Sequence, residues 1–375
     1  MAVSLLSHDV SDLCIGKPPL KSLPASATVA EAICALKSPT TAEAYISIVS
    51  GGNKAAAIVG KVCMVDVLCY LCSSEHISSP VAALEKPVSV LLPKDPARGG
   101  IRRIDFNSSI SEAIDVMIDG GNHSLIVPIR RKREGSYCFL TEEDLLRFFL
   151  NSIFLFSSIA SLSVASLGLV RAALSVCCRE PALSALALIR SALDDHAAVA
   201  VVTDDAKLVG EISPSTLSAC DETVAAAIAA LSAGELMAYI DCCSGGVLME
   251  SVMDAVKTRL REKGMLGMIR LIEEETISSL QSSSTSSSSD DEESEAVSKR
   301  RRPRRTKSGS YSTRMGRRSE EAIVCHPESS LVAVMVQALA HRVSYVWVVD
   351  DEYGLVGVVT FPDLLRVFRE EVSKA

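Results

Sequence analysis

The hydrophobic pattern of the C-terminal residues predicts a strand, a helix, two strands and a second helix, in that order. In the segment 322–370, a short apolar run ends at Pro327, and Ser330 precedes a stretch with apolar residues three and four apart. A serine in that place is typical of an N-capped amphipathic helix. Two β-rich runs, SYVWVVD and GLVGVVT, follow with a polar turn between them, and FPDLLRVFRE predicts the closing helix.

The same order of elements fits three earlier segments of the chain. Thr28 and Ser109 stand before the first helix of the first and second copies, as Ser330 does in the fourth. The third copy matches more loosely. In each of the other three copies we compare two positions: the cap residue of the first helix, and the residue three positions before the cap of the closing helix. The interval between them is similar: 32 residues (Thr28 to Gly60), 29 (Ser109 to Cys138) and 27 (Ser330 to Gly357). Four repeats therefore cover most of the chain.

Two segments separate the third copy from the fourth. The first has apolar residues at helical spacing, and the second has almost no apolar residues and carries an acidic serine block followed by a basic block. Such a composition predicts disorder. The predicted division is repeat 1, 12–75; repeat 2, 83–150; connector, 151–170; repeat 3, 171–222; helical connector, 223–276; disordered charged insertion, 277–320; and repeat 4, 321–372.

Charge and cysteine content narrow the class of protein. The net charge of −8 over 375 residues does not favour nucleic acid as the partner of the whole chain. The basic run KRRRPRRTK fits a nuclear import signal, a nucleic-acid contact or solvated charge balancing the run DDEESE. The twelve cysteines form no spaced framework, which indicates a reducing compartment. With no targeting peptide recognised, we expect a cytoplasmic or nuclear protein.

One uncharged segment, from Phe148 to Val170, is long enough to raise the question of a membrane span. Asn151 and six serines make it much less hydrophobic than a leucine-rich span. We therefore expect a buried connector between domains and no membrane contact.

Signatures of catalysis are missing from the sequence. There is no phosphate-binding Gly-x4-Gly-Lys-Ser/Thr loop, no Gly-x-Ser-x-Gly elbow and no His-Glu-x-x-His pair. Cys69 and Cys72 supply only half of a tetrahedral metal site, so core packing is the expected role. The sequence predicts neither an enzyme nor a metal site.

The repeat that closes on GVVTFPD resembles the CBS domain, and four copies with a Ser/Arg-rich insertion resemble the plant CBS-domain proteins of the CBSX type. The resemblance implies an α/β fold in which the four repeats pair into two tandem Bateman modules. It also implies a ligand motif of glycine, an apolar residue, any residue, Thr or Ser, two residues and Asp. In such a motif the glycine admits the ligand, the hydroxyl and helix N-terminus bind phosphate, and the carboxylate binds the ribose hydroxyls.

Carried over residue by residue, the motif is complete only in the fourth repeat, at Gly357, Thr360 and Asp363. The second repeat has Thr141 and Asp144, but Cys138 stands in place of the glycine. Thr-x-x-Asp at a helix start is also a common capping arrangement, so a purely structural role is the alternative.

Weaker ligand-binding candidates come from the remaining repeats and from one basic residue. Asp66 follows Gly60 in the first repeat, where Cys63 replaces the hydroxyl, and Ser213 has Thr216 where the acid is expected. His123 and the pair His341–Arg342 precede strands, where they could reach a phosphate or lie as solvated helix ends.

Together these features predict a non-catalytic regulatory protein. It would bind an adenosine-containing ligand of the AMP, ATP or S-adenosylmethionine class and modulate an unknown partner protein, with no cofactor and with homodimer formation as a further expectation. The alternative is a scaffold that has lost ligand binding and uses its charged insertion to capture partners.

Overall fold

The computed structural model describes residues 7–37, 45–50, 57–93, 101–129, 136–218, 220–245, 249–274 and 322–374. The predicted insertion, 277–320, and the scaffold function assigned to it lie outside the described residues. Among those described, no helix is both long and apolar enough to cross a membrane.

Each repeat contributes one three-stranded sheet, as the α/β prediction requires. In every sheet the first strand is parallel to the second, and the second is antiparallel to the third. The strands are β1 (Ser22–Pro24), β2 (Tyr45–Ser50) and β3 (Ala57–Cys63); β4 (Arg102–Arg103), β5 (Ser124–Pro128) and β6 (Tyr137–Thr141); β7 (Ser175–Cys177), β8 (Val199–Val202) and β9 (Leu208–Ile212); and β10 (Val324–Cys325), β11 (Tyr345–Val349) and β12 (Leu355–Thr360).

The helices follow the predicted order within each repeat. They are α1 (Val10–Leu13), α2 (Val29–Lys37), α3 (Met64–Leu71), α4 (Pro80–Leu84), α5 (Ile110–Gly120), α6 (Glu142–Asn151), α7 (Ser157–Ala160), α8 (Leu186–Asp194), α9 (Pro214–Ser218), α10 (Val224–Ala230), α11 (Ala233–Gly245), α12 (Met249–Glu262), α13 (Leu331–His341) and α14 (Phe361–Lys374). Residues 266–274 are also helical, and short 3-10 turns cover Val88–Leu91, Ile153–Phe156 and Ala182–Ala185.

The three predicted N-caps are confirmed. The hydroxyl of Thr28 accepts from the N–H of Glu31 at 3.1 Å, and Ser109 and Ser330 accept from the corresponding N–H groups of their own helices. These bonds satisfy backbone donors that the first turn of a helix leaves without a partner. The local sequence therefore fixes where α2, α5 and α13 begin.

Two hydrophobic cores hold the repeats together. One joins repeats 1 and 3, where α3 packs on α8 and α9, and it also contains the helical connector, whose α10 is buried along its whole length. The other joins mainly repeats 2 and 4, where α6 packs on α13 and α14. In this second core Phe149 stacks on Phe368 at 4.4 Å between ring centroids, and Phe156 packs edge-on against both rings.

The uncharged segment around Phe156 forms turns and the short helix α7 rather than one long helix. Phe156, Ile159, Val164 and Leu169 are buried in the second core. Phe154 and Leu162 are exposed, however, so only part of the connector is buried.

The sheets of repeats 3 and 4 share a buried polar contact that sequence patterns did not reveal. Glu211 on β9 is fully buried, and its carboxylate accepts from the Tyr345 hydroxyl at 2.5 Å and from Trp347 Nε1 at 2.7 Å. A buried carboxylate needs such donors to offset the loss of water. This contact ties the central strand of repeat 4 to repeat 3.

Candidate functional site

The motif of the fourth repeat forms a helix cap. Asp363 accepts from the Thr360 hydroxyl at 2.6 Å and from the Thr360 N–H at 3.2 Å, and both side chains are buried. The other carboxylate oxygen of Asp363 accepts from Arg366 at 2.9 Å and lies 3.6 Å from an Arg171 nitrogen. The capping role is therefore confirmed, whereas ribose binding by Asp363 stays a prediction.

Gly357 admits a close backbone neighbour, which is the junction of the connector and repeat 3 at Val170 and Arg171. Arg171 pairs with Val358 through two backbone hydrogen bonds of 2.9 Å each. A Cβ atom at position 357 would lie 2.4 Å from the Arg171 carbonyl oxygen and 2.7 Å from a Val170 methyl carbon. The glycine is thus explained by packing of the connector on β12.

Replacing Gly357 by alanine is expected to lower the free energy of unfolding by about 1–3 kcal/mol, because the new Cβ would force the connector off β12. Chemical denaturation followed by circular dichroism measures the change. Val356→Ala is the matched control, since Val356 is an exposed neighbour on the same strand. A Gly357→Ala protein as stable as this control would show that the connector does not pack there.

The second repeat has an equivalent arrangement. Asp144 accepts from the Thr141 N–H at 2.7 Å and the Thr141 hydroxyl at 2.8 Å, and Lys17 forms an ion pair with the same oxygen. Lys17 belongs to the segment before β1, just as Arg171 belongs to the segment before β7. In each module of two repeats, the segment before the first strand thus places a cation beside the motif acid of the later repeat, which is Asp144 in repeat 2 and Asp363 in repeat 4.

The remaining candidates differ in their surroundings. Ser213 is buried and caps α9 together with Thr216, whose N–H donates to the Ser213 hydroxyl at 3.1 Å. Arg342 is exposed and ends α13 in the left-handed conformation, with φ of 55°. Asp66 accepts from the Cys63 N–H at 2.8 Å and pairs with Arg190 of the third repeat.

A cavity of about 520 Å³ lies beside Asp66. Repeats 1, 2 and 3 all contribute to its wall, and the lining residues include three basic side chains. They are Tyr45, Lys61, Asp66, Pro93, Ile101, Gly120, Gly121, Asn122, His123, Ser124, Arg190, Leu193 and Asp194. A volume of this size is typical of small-molecule sites.

Basic groups define the electrostatics of this cavity. Burial lowers the pKa of Lys61, whose ammonium lies 4.5 Å from the centroid of the Tyr45 ring. Burial alone would also lower the pKa of Arg190, but the adjacent Asp66 raises it. Asp66 and Asp194 also line the cavity, so its cations favour the anionic part of a ligand whose hydroxyl groups can donate to the carboxylates.

His123 is neither a solvated helix end nor a simple lining residue. Its ring stacks on that of His196 at 3.8 Å between centroids, and its Nδ1 lies 2.9 Å from Glu142. Burial alone would lower the pKa of His123, but the hydrogen bond to Glu142 raises it; burial lowers the pKa of His196. Burial alone would raise the pKa of Glu142, and the two histidines lower it.

Comparison with known proteins agrees with this architecture. The CBS domain model matches residues 318–370. The CBS domain-containing protein CBSX5 of Arabidopsis thaliana is 42% identical, over 99% of this chain and 98% of the relative. The chain belongs to the CBS domain-containing protein family. A gamma-like regulatory subunit of an SNF1-related protein kinase, PV42b of the same plant, is 21% identical over 97% of this chain and 95% of its own length.

A solved archaeal structure shows the same fold as this CBS protein. Protein MJ1225 of Methanocaldococcus jannaschii superposes with a TM-score of 0.58 and 14% identity, over 96% of this chain and 100% of that one. At this identity the likeness extends to the fold of the CBS repeats alone.

The sequence pattern indicated His123 as a possible phosphate contact but did not indicate Lys61 or Arg190. A lone lysine in the apolar run AIVGKVC was a signal that could have identified Lys61. No local pattern links Arg190 or His196 to the first and second repeats, because the fold alone brings them there.

Proposed function

We propose that this CBS protein is a non-catalytic regulatory protein that binds an adenosine-containing ligand in the cavity beside Asp66. The observation that carries the proposal is the convergence of Lys61, His123 and Arg190 on one cavity next to a carboxylate at the motif position. Phosphate would bind the cations, and the carboxylate would accept from the ribose hydroxyls. AMP, ATP and S-adenosylmethionine are the ligands to test.

The first repeat lacks the hydroxyl of the ligand motif, and cations in the cavity can bind phosphate in its place. Cys63 replaces the hydroxyl that would donate to phosphate. Lys61 lies two residues earlier on the same strand and faces the cavity, as does Arg190 on α8. An ammonium and a guanidinium bind phosphate more strongly than a neutral hydroxyl does.

Ligand binding at this place would couple the two modules. Arg190 belongs to repeat 3 and pairs with Asp66 of repeat 1. A bound phosphate would take the guanidinium from Asp66 and leave the carboxylate to the ribose, so the ligand would replace a direct contact between α3 and α8. Occupancy would then change how repeats 1 and 3 pack, and a partner protein would respond to that change.

The alternative binding site for the ligand is at the motif carboxylate of repeat 2 or repeat 4, which is Asp144 or Asp363. A nucleotide there must compete with Lys17 for Asp144, or with Arg366 and Arg171 for Asp363. The regulatory role also agrees with the name of PV42b, a gamma-like regulatory subunit of a protein kinase. Modulation of a partner protein and homodimer formation stay predictions.

Isothermal titration with AMP, ATP and S-adenosylmethionine separates the two places. Asp66→Asn is expected to weaken the binding of the active ligand several-fold, because an amide carries no charge and accepts at one atom only. Asp363→Asn, a matched change in the fourth repeat, should leave the affinity unchanged. The reverse pattern would assign the ligand to repeat 4, and equal heats from all three proteins would refute both sites.

A further inference from the structure

The imidazole ring of His123 lies between two hydrogen-bond acceptors. Its Nδ1 is 2.9 Å from a carboxylate oxygen of Glu142, the first residue of α6, and its Nε2 is 2.6 Å from the carbonyl oxygen of Asp194, the last residue of α8. A carbonyl oxygen and an ionised carboxylate can only accept. Both ring nitrogens must therefore donate, which makes His123 a positively charged imidazolium.

The surroundings place this charge on His123 and not on His196. Nδ1 of His196 lies 3.0 Å from the other carboxylate oxygen of Glu142, and the two rings stack at 3.8 Å between centroids. Two stacked cations would repel each other, and burial lowers the pKa of His196, so this ring stays neutral and donates from Nδ1. The titratable groups that face the His123 ring or share its cavity are Glu142 on α6, His196 before β8, Lys61 on β3, Asp66 on α3, and Arg190 and Asp194 on α8.

The charged ring forms part of the cavity wall, whereas the carboxylate that holds it does not. His123 lines the cavity beside Asp66. Glu142 is buried and lies outside the cavity lining. The carboxylate therefore acts on a ligand only through the ring.

We propose that Glu142 is a positioning residue of this cavity, because it holds His123 in the cavity wall as an imidazolium. The effect on binding rests on the proposed function, but the charge itself belongs to the ligand-free protein. The same proton also joins two repeats, since His123 and Glu142 come from repeat 2 and Asp194 comes from repeat 3.

The direction of the pH dependence follows from these bonds. Burial alone would lower the pKa of His123, but the hydrogen bond to Glu142 raises it above the ordinary value of 6.5. The stabilising contribution of the charged ring is fully present below pH 6.5 and is lost as the pH rises through the raised pKa. One of the two acceptors then has no donor, and the cavity has lost one positive charge.

NMR titration of selectively labelled histidines in the ligand-free full chain tests the proposal. In the wild type, the His123 ring should titrate above pH 6.5. Glu142→Gln keeps the shape of the side chain, and its amide can donate to a neutral ring, so the pKa of His123 should fall by at least about one unit. Glu143→Gln is the matched control, because Glu143 pairs with Arg147 on the same helix, and it should leave the titration unchanged.

The pH profile of ATP affinity is a second readout that a merely structural role would not change. In a Lys61→Arg protein, affinity should fall several-fold over the range in which His123 titrates. Adding Glu142→Gln should weaken binding at low pH and remove this decline, because His123 is then neutral throughout the range. An equal decline in both proteins would overturn the positioning role.

Two results of the NMR titration would also overturn the proposal. One is a wild-type His123 that titrates at or below pH 6.5, and this result decides the matter even if Glu142→Gln fails to fold. The other is an unchanged pKa of His123 in a Glu142→Gln protein that circular dichroism shows to be folded. If the wild type binds no nucleotide, the proposed function fails, whereas a raised pKa that falls in Glu142→Gln still supports the charge on His123.

Discussion

Replacing Trp347 by alanine is expected to lower the free energy of unfolding by about 3–5 kcal/mol. Trp347 is the only tryptophan of the chain and is fully buried on the central strand of repeat 4. Its removal would leave a large cavity beside Tyr345, whose ring lies 5.3 Å away between centroids. It would also take a hydrogen-bond donor from the buried Glu211.

Trp347→Phe separates the packing of this ring from its hydrogen bond, and Val209→Ala serves as a control. Trp347→Phe keeps most of the ring but removes the Nε1–H group, and we expect a loss of about 1–3 kcal/mol from the weaker solvation of Glu211. Val209→Ala, at an exposed position of β9, should change stability by less than about 0.5 kcal/mol. Urea denaturation followed by far-ultraviolet circular dichroism measures all three. A Trp347→Ala protein within 1 kcal/mol of the wild type, roughly the scale of an ordinary substitution, would contradict the packing of repeats 3 and 4.

Lys61→Met is expected to weaken ATP binding at least tenfold, about 1.4 kcal/mol. Methionine has a similar length and no charge, so the change removes the ammonium from the cavity and leaves the apolar stem. The charge is effective because Lys61 is desolvated, which also lowers its pKa. Lys21→Met is the matched control, since Lys21 is outside the cavity lining. Equal affinities of the Lys61→Met protein and the wild type would show that phosphate does not bind there.

The same lysine predicts how binding depends on pH. Burial lowers the pKa of Lys61 from its ordinary value of 10.5, so its ammonium loses the proton at a lower pH than an exposed lysine does. The positive charge is present below the lowered pKa and is lost as the pH rises through it. ATP affinity should therefore fall as the pH is raised from neutrality towards 10.5. Lys61→Arg keeps its charge over this range and should reduce the decline, leaving only the contribution of His123.

Local features of the fold could be predicted from the sequence because they depend on neighbouring residues. Thr28, Ser109 and Ser330 each cap a helix through a residue three positions later. The paired runs around Trp347 and Val358 form the expected antiparallel hairpin. Periodicity and turn chemistry act over about ten residues, which is the range of these elements.

Contacts between repeats could not be predicted in the same way. Asp144 pairs with Lys17 across 127 positions, and Asp66 pairs with Arg190 across 124. The spacing of residues within one motif does not predict which cation, from a distant part of the chain, pairs with the motif acid in the fold. The complete motif of repeat 4 thus looked most favourable for a ligand, although Val170 and Arg171, where the connector meets repeat 3, lie against its glycine.

The motif residues illustrate why one pattern has two interpretations. A hydroxyl followed three residues later by an acid caps a helix in repeats 2 and 4, and the same geometry presents a carboxylate at the end of a strand. What distinguishes a ligand site is the space and charge around that carboxylate. Among the described residues, the cavity beside Asp66 supplies both.

A crystal structure of the full chain with ATP tests the proposed function most directly. Ligand density is expected in the cavity, with a phosphate within hydrogen-bond distance of Lys61 and Arg190 and with Asp66 released from Arg190 to the ribose. Ligand bound instead against Thr360 and Asp363, with the connector displaced from Gly357, would contradict it.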